Sequence, residues 1–188
     1  KRKLLCVLIE YPDFPHIYEK EEFDALMNKQ NYKGTGSFRD YFLKQSGNTL
    51  DIQTTVVGWI KADSGFLYYL DKTNALVEEA LRKLKASDFN FAPFDNDSNG
   101  FVDNLSIVHS GFGGEECGGR DKYIWSHQAV IDPYPVGVDL NCRMYTIQPE
   151  LRNKYFKNLT GIGVFCHEFG HALGLPDLYD TDYSSSGI

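Results

Sequence analysis

Apolar and polar positions along this chain follow two periods, and the switches between them mark out the elements. Leu4 to Ile9 is an unbroken apolar run, closed by Glu10. It predicts a strand over 3–10 at the centre of a sheet, covered on both faces. Residues 11–15, with Pro12, Asp13 and Pro15, read as a turn. Between 19 and 29 the spacing of Phe23, Leu26 and Met27 is helical. Ser37 followed by Asp40 resembles a capping box and opens a second helix to about residue 46, closed by Gly47. Residues 50–60 alternate loosely through Ile52, Thr54 and Val56 and read as a strand. After a turn at 63–65, Thr73 is expected to cap a helix running to about residue 85. Its stripe of Leu76, Val77, Ala80, Leu81 and Leu84 faces a core. Residues 105–109 and 138–147 read as further strands, and 163–173 as a last helix. The order β-α-α-β-α-β-β-α predicts an α/β fold: a twisted mixed sheet with a backing helix and a late helix that carries the chemistry.

Composition narrows the class without changing that picture. The chain has 188 residues, enough for one domain, and its charged content of 24% is ordinary for a soluble protein. A net charge of −7 argues against a nucleic-acid partner. No apolar run approaches the roughly 18 residues of a transmembrane helix. The cationic start, Lys1-Arg2-Lys3, precedes too short an apolar run for a signal peptide, so any signal or pro-segment is expected upstream of Lys1. Four cysteines occur without a C-x-x-C pair, which argues against a zinc ribbon. Cys6 and Cys166 read as buried thiols. Cys117 and Cys142 fall in loop or strand-end contexts that suit either a disulfide or two free thiols.

The late helix holds the chemistry. His167-Glu168-Phe169-Gly170-His171 is an H-E-x-x-H pentad. On a helix, His167 and His171 share one face and can hold one zinc ion, while Glu168, turned about 100° away, can serve as base for water activated there. On the order of one chain in a hundred of this composition carries the pentad by accident, so its surroundings matter. Thr160 can cap the helix, Ile162, Phe165 and Phe169 give it an apolar side, and Gly174 with Pro176 ends it. A third zinc ligand must then be found. No His follows His171 and no Glu follows Glu168, which leaves Asp177, Asp180 and Asp182. The spacing H-E-x-x-H-x-x-G-x-x-D favours Asp177.

The segment H-E-F-G-H-A-L-G-L-P-D-L-Y-D at 167–180 resembles the immune inhibitor A family of secreted bacterial metallopeptidases. So do D-N-D-S-N-G-F-V-D at 95–103, the following L-S-I-V-H-S-G-F-G, I-W-S-H at 124–127 and Y-T-I-Q-P-E-L at 145–151. The resemblance implies a zincin-like fold, an extracellular setting and protein or peptide substrates. It implies His167, His171 and Asp177 as zinc ligands and Glu168 as the catalytic base. Metzincin-like enzymes carry a Met-turn after the zinc motif, yet Met27 and Met144 both precede it. The expectation is therefore a single catalytic domain over 1–188 that lacks its C-terminal end. The competing reading is an inactive peptidase-like module for adhesion or scaffolding; an intact Glu168 argues against it.

Three further features belong to the reading. In the acidic loop, Asp95, Asp97, Asn99 and Asp103 supply alternating oxygens, Phe101 can add its carbonyl, and Gly100 allows a tight turn. This predicts a structural calcium site, although not an EF-hand, since Ser106 stands where the closing acid would be. The glycine-rich stretch 111–119 lacks a helix and a Lys-Ser/Thr for phosphate and reads as the rim of a cleft. His109, His127, Tyr179 and Tyr183 are candidates to line that cleft or stabilise an oxyanion, and His16 reads as exposed.

Overall fold

A computed structural model describes residues 1–119 and 121–177 of the protein. The elements are β1 (Arg2–Glu10), α1 (Lys20–Asn28), α2 (Phe38–Gln45), β2 (Ile52–Lys61), α3 (Phe66–Tyr69), α4 (Thr73–Ala86), β3 (Phe101–Val102), β4 (Leu105–Phe112), α5 (Gly114–Cys117), β5 (His127–Gly137), β6 (Leu140–Leu151) and α6 (Ile162–Ala172). β1 pairs in parallel with β2 on one side and β4 on the other, and β4 pairs in parallel with β6. β3 meets Asn141 and Cys142 of β6 at the offset with which β4 meets Tyr145. The two short strands therefore run in line along one edge of β6. β5 pairs antiparallel along the other edge. The result is the mixed, largely parallel sheet that the element order predicts.

The alternation of side chains along β1 divides the core in two. Leu5, Val7 and Ile9 pack with the α4 stripe of Leu76, Val77, Ala80, Leu81 and Leu84. Leu4, Cys6 and Leu8 pack on the opposite face with Phe23 and Met27 of α1, Phe38 and Phe42 of α2, and Phe165 of α6. Burial on both faces is why the strand has to read as a continuous apolar run. It also means that the late helix lies directly on the sheet, its Phe169 ring 5.4 Å from Phe38 and 5.1 Å from Phe42.

Several details differ from expectation. β5 carries no strand pattern in the sequence, because Asp132, Pro133 and Pro135 interrupt it. At an edge, proline faces solvent and costs no ladder hydrogen bond, and the register shifts between Val130 and Tyr134. Thr73 is the first residue of α4 rather than its cap; Lys72 holds that position. Thr160 is buried, its N–H spent on the Glu150 carbonyl at 2.8 Å, and Gly161 caps α6 without a side chain. The glycine-rich stretch does contain one helical turn, α5. All four cysteines are free: Cys117 packs beside Phe112 and Leu151, whereas Cys142 sits in the core beneath α4. His16 is half-buried instead of exposed, stacked on Trp59 with its Nδ1 2.5 Å from Glu10 Oε2.

Candidate active site

The end of α6 builds the site. Gly174 adopts φ +88°, Gly174 N–H donates to the His171 carbonyl at 2.9 Å, and Leu175 N–H donates to the Gly170 carbonyl at 3.0 Å. This is a Schellman motif, and Pro176 after it prevents the helix from resuming. The reversal does two things. It brings the Leu175 carbonyl within 2.8 Å of His171 Nδ1, so that nitrogen donates and Nε2 presents its lone pair to the cleft. It also returns Asp177 to the helix.

Three donor atoms then meet. His167 Nε2 and His171 Nε2 are 3.2 Å apart, and Asp177 Oδ1 lies 3.3 Å from the first and 3.2 Å from the second. Asp177 Oδ1 is buried and has no hydrogen-bond partner. Three ligands of a tetrahedral ion bound at about 2.0–2.1 Å are separated by about 3.3–3.4 Å, a tetrahedron's edge being about 1.6 times its centre-to-corner distance. The triangle and its orphaned oxygen therefore fit a zinc-sized cation. Glu168 does not join the triangle. Its carboxylate lies within 4.8 Å of the imidazole nitrogens, and the residue is only 5% exposed. Burial pushes its carboxyl up to about 7, with Glu115 and Asp177 adding to the rise and His171 and the Gln128 backbone opposing it.

The opposite wall of a cleft of about 460 Å³ is the start of β5 and the residues before it, from Trp125 to Gln128. A more apolar cavity of about 230 Å³ between Leu4, Ile52 and Phe169 touches none of the donor triangle. His127 borders the cleft, but both its nitrogens are engaged: Nδ1 lies 2.8 Å from the Trp125 carbonyl and Nε2 3.0 Å from Tyr145 Oη, which itself lies 2.9 Å from Asn74 Oδ1. It serves as a brace and has no proton to offer an oxyanion. His109 is fully buried beside Tyr11, away from the cleft, and burial lowers its pKa to about 4. Asp180, Asp182, Tyr179 and Tyr183 lie outside the described residues.

Two contributors escaped the sequence reading. Glu115, on α5, accepts from Ser126 N–H at 2.5 Å and ties the glycine-rich rim to the β5 wall. Gln128 bears on Glu168 through its backbone, and it carries no signal of its own because β5 carries none. In the acidic loop, carboxylate oxygens of Asp95, Asp97 and Asp103 lie within 4.8 Å of one another. Asn99 lies against them: its N–H donates to Asp95 Oδ1 at 3.0 Å, its Nδ2 donates to Asp97 Oδ2 at 3.1 Å, and its Oδ1 accepts from Phe101 N–H at 2.9 Å, where Phe101 opens β3.

All of residues 1–188 match the family model described as immune inhibitor A peptidase M6, catalytic domain. The chain belongs to this family. It is 30% identical to an immune inhibitor A of Bacillus thuringiensis subsp. alesti, over 100% of this chain and 34% of the relative. It is equally similar to the pre-pro-metalloprotease PrtV of Vibrio cholerae serotype O1 (strain M66-2), over 98% of this chain and 26% of that relative. The chain thus spans between a quarter and about a third of the length of these proteins. Membership of the M6 family bears out the resemblance and the zincin-like architecture, and a metallopeptidase family implies a catalytic metal.

Proposed function

We propose that the protein is a zinc-dependent endopeptidase, and that residues 1–188 form one catalytic domain whose substrates are extracellular proteins or peptides. The observation that carries this reading is the triangle of His167 Nε2, His171 Nε2 and Asp177 Oδ1 with a buried Glu168 beside it. Those three atoms would hold the ion, which when bound supplies Lewis acidity to the scissile carbonyl and acidity to water. Glu168 takes the proton of the attacking water on its carboxylate and delivers it to the leaving amine. The Schellman turn fixes His171 in one tautomer and keeps Asp177 in range. The Trp125–Gln128 wall, braced by His127, borders the substrate's side of the cleft.

Secretion is part of the proposal. It accords with the family resemblance, and no helix among the described residues is long and apolar enough to cross a membrane. A calcium ion held by Asp95, Asp97 and Asp103 at the start of β3 is proposed as its structural companion, of the low-affinity kind that fills outside cells.

Elemental analysis of the protein and of Glu168→Gln, run with cleavage of a general protein substrate, tests the reading. About one zinc in each, with activity lowered about 10²- to 10⁴-fold in the variant, is the expected result. Absence of zinc from the active protein would overturn it. So would equal activity in both.

A further inference from the structure

We propose that the loop between β6 and α6 docks on an anionic lipid surface. It stands apart from the peptidase reading and does not depend on it. Residues 152–158 read Arg-Asn-Lys-Tyr-Phe-Lys-Asn. Tyr155 and Phe156 are 78% and 75% exposed, side by side. Single exposed aromatics are common, but an adjacent pair at a loop tip with a cation on either side calls for a partner.

The loop is built to keep those rings out. Arg152 N–H donates to the Asn158 carbonyl at 2.8 Å, and Leu151 bridges Leu159 at its base. Inside, Asn153 Oδ1 accepts from the N–H groups of Tyr155 and Phe156 at 3.1 and 2.9 Å. The Asn153 carbonyl accepts from Lys157 N–H at 3.1 Å, and Lys157 takes the φ of +49° that this turn needs. Four backbone donors therefore already have partners within the loop. The tip can leave water without stranding them, which is what entry into a lipid interface demands.

Charge and area select the partner. Lys154 and Lys157 flank the rings and are exposed, and Lys154 Nζ lies 5.4 Å from the Tyr155 ring centre. Among the described residues neither lysine has an ion-pair partner, whereas Arg152 is held by Glu116 at 2.9 Å. A stable protein interface takes about 800 Å² from each side. Two aromatic side chains offer at most about 500 Å². They project from the surface and form no groove. Rings at headgroup depth with lysines beside acidic headgroups need no larger footprint. The net charge of −7 does not forbid this, because salt screens exposed charges beyond about 8–10 Å.

Co-sedimentation with vesicles tests it, using phosphatidylcholine alone and phosphatidylcholine mixed two to one with phosphatidylglycerol. The protein should partition to the anionic vesicles, weakly to the neutral ones, and less as salt rises. Y155S/F156S and K154E/K157E should each lower anionic partitioning at least about tenfold while leaving the thermal melt in place. No partitioning to anionic vesicles would overturn the proposal. So would partitioning that both double variants retain, or a concentration-dependent dimer that Y155S/F156S abolishes, since the rings would then serve a second copy.

Discussion

Gly174 is the residue on which the most depends. Its φ of +88° lets the chain reverse after His171, and that reversal sets both the tautomer of one candidate ligand and the place of another. Alanine there adopts the same backbone at a cost of about 1–2 kcal/mol. Gly174→Ala should therefore lower the melting temperature modestly, and zinc retention on dialysis should weaken only as far as the turn relaxes from this backbone and carries Asp177 with it. Unchanged metal retention would show that the reversal holds its shape without glycine. His109 offers a prediction with a sign. Its pKa falls from 6.5 to about 4, chiefly through burial, with the Ser110 carbonyl and Glu115 opposing and His127 assisting. Between those two values the unfolded chain binds a proton that the folded chain refuses, so stability drops as the pH falls through that window, by about 3 kcal/mol in total. Glu168, raised to about 7, contributes the opposite slope over the same window, so the His109 loss is read as the difference between the protein and His109→Asn in urea unfolding at pH 7.5 and pH 5. The pentad could be read from the sequence because a four-residue spacing translates directly into one helical face. Glu115 and Gln128 could not, since their influence on Glu168 depends on which strand lies across the cleft.

Elements that bury a regular stripe were legible; those defined by their neighbours were not. β1 and α4 declare themselves by period, and so does α2 by its cap: Ser37 Oγ accepts from Asp40 N–H at 3.2 Å and the Asp40 carboxylate accepts from Ser37 N–H at 3.0 Å. Ser37→Ala removes one half of this box. It should cost about 1 kcal/mol, a fall of roughly 2–4 °C in melting temperature, without altering activity. A loss of activity instead would mean that α2 transmits to α6 through the Phe38 and Phe42 contacts on Phe169. β5 shows the limit of pattern reading. A strand with two prolines is coherent only at an edge, and no local signal says where the edge will be. The prolines also protect it, because the part of β5 beyond Asp132 cannot offer a full ladder to a stray strand.

At the scale of the whole molecule, the sheet separates two cores, and the donor triangle closes over one of them. An ion bound there stabilises only the folded state, so added zinc should raise the melting temperature of metal-free protein in a concentration-dependent way. Asp177→Asn should lose most of that increment, as measured by scanning calorimetry; an undiminished rise would place the ion elsewhere. Parallel pairing has a further consequence for synthesis. β1 finds its partners only at Ile52 and Leu105, far downstream, and α6 settles on a sheet that must already include them. While the chain leaves the ribosome, its first strand waits as an unpaired greasy ribbon, the period of greatest risk for aggregation. The same order delays the donor triangle: until β2 and β4 have paired with β1, α6 has no platform to hold His167 and His171 in place.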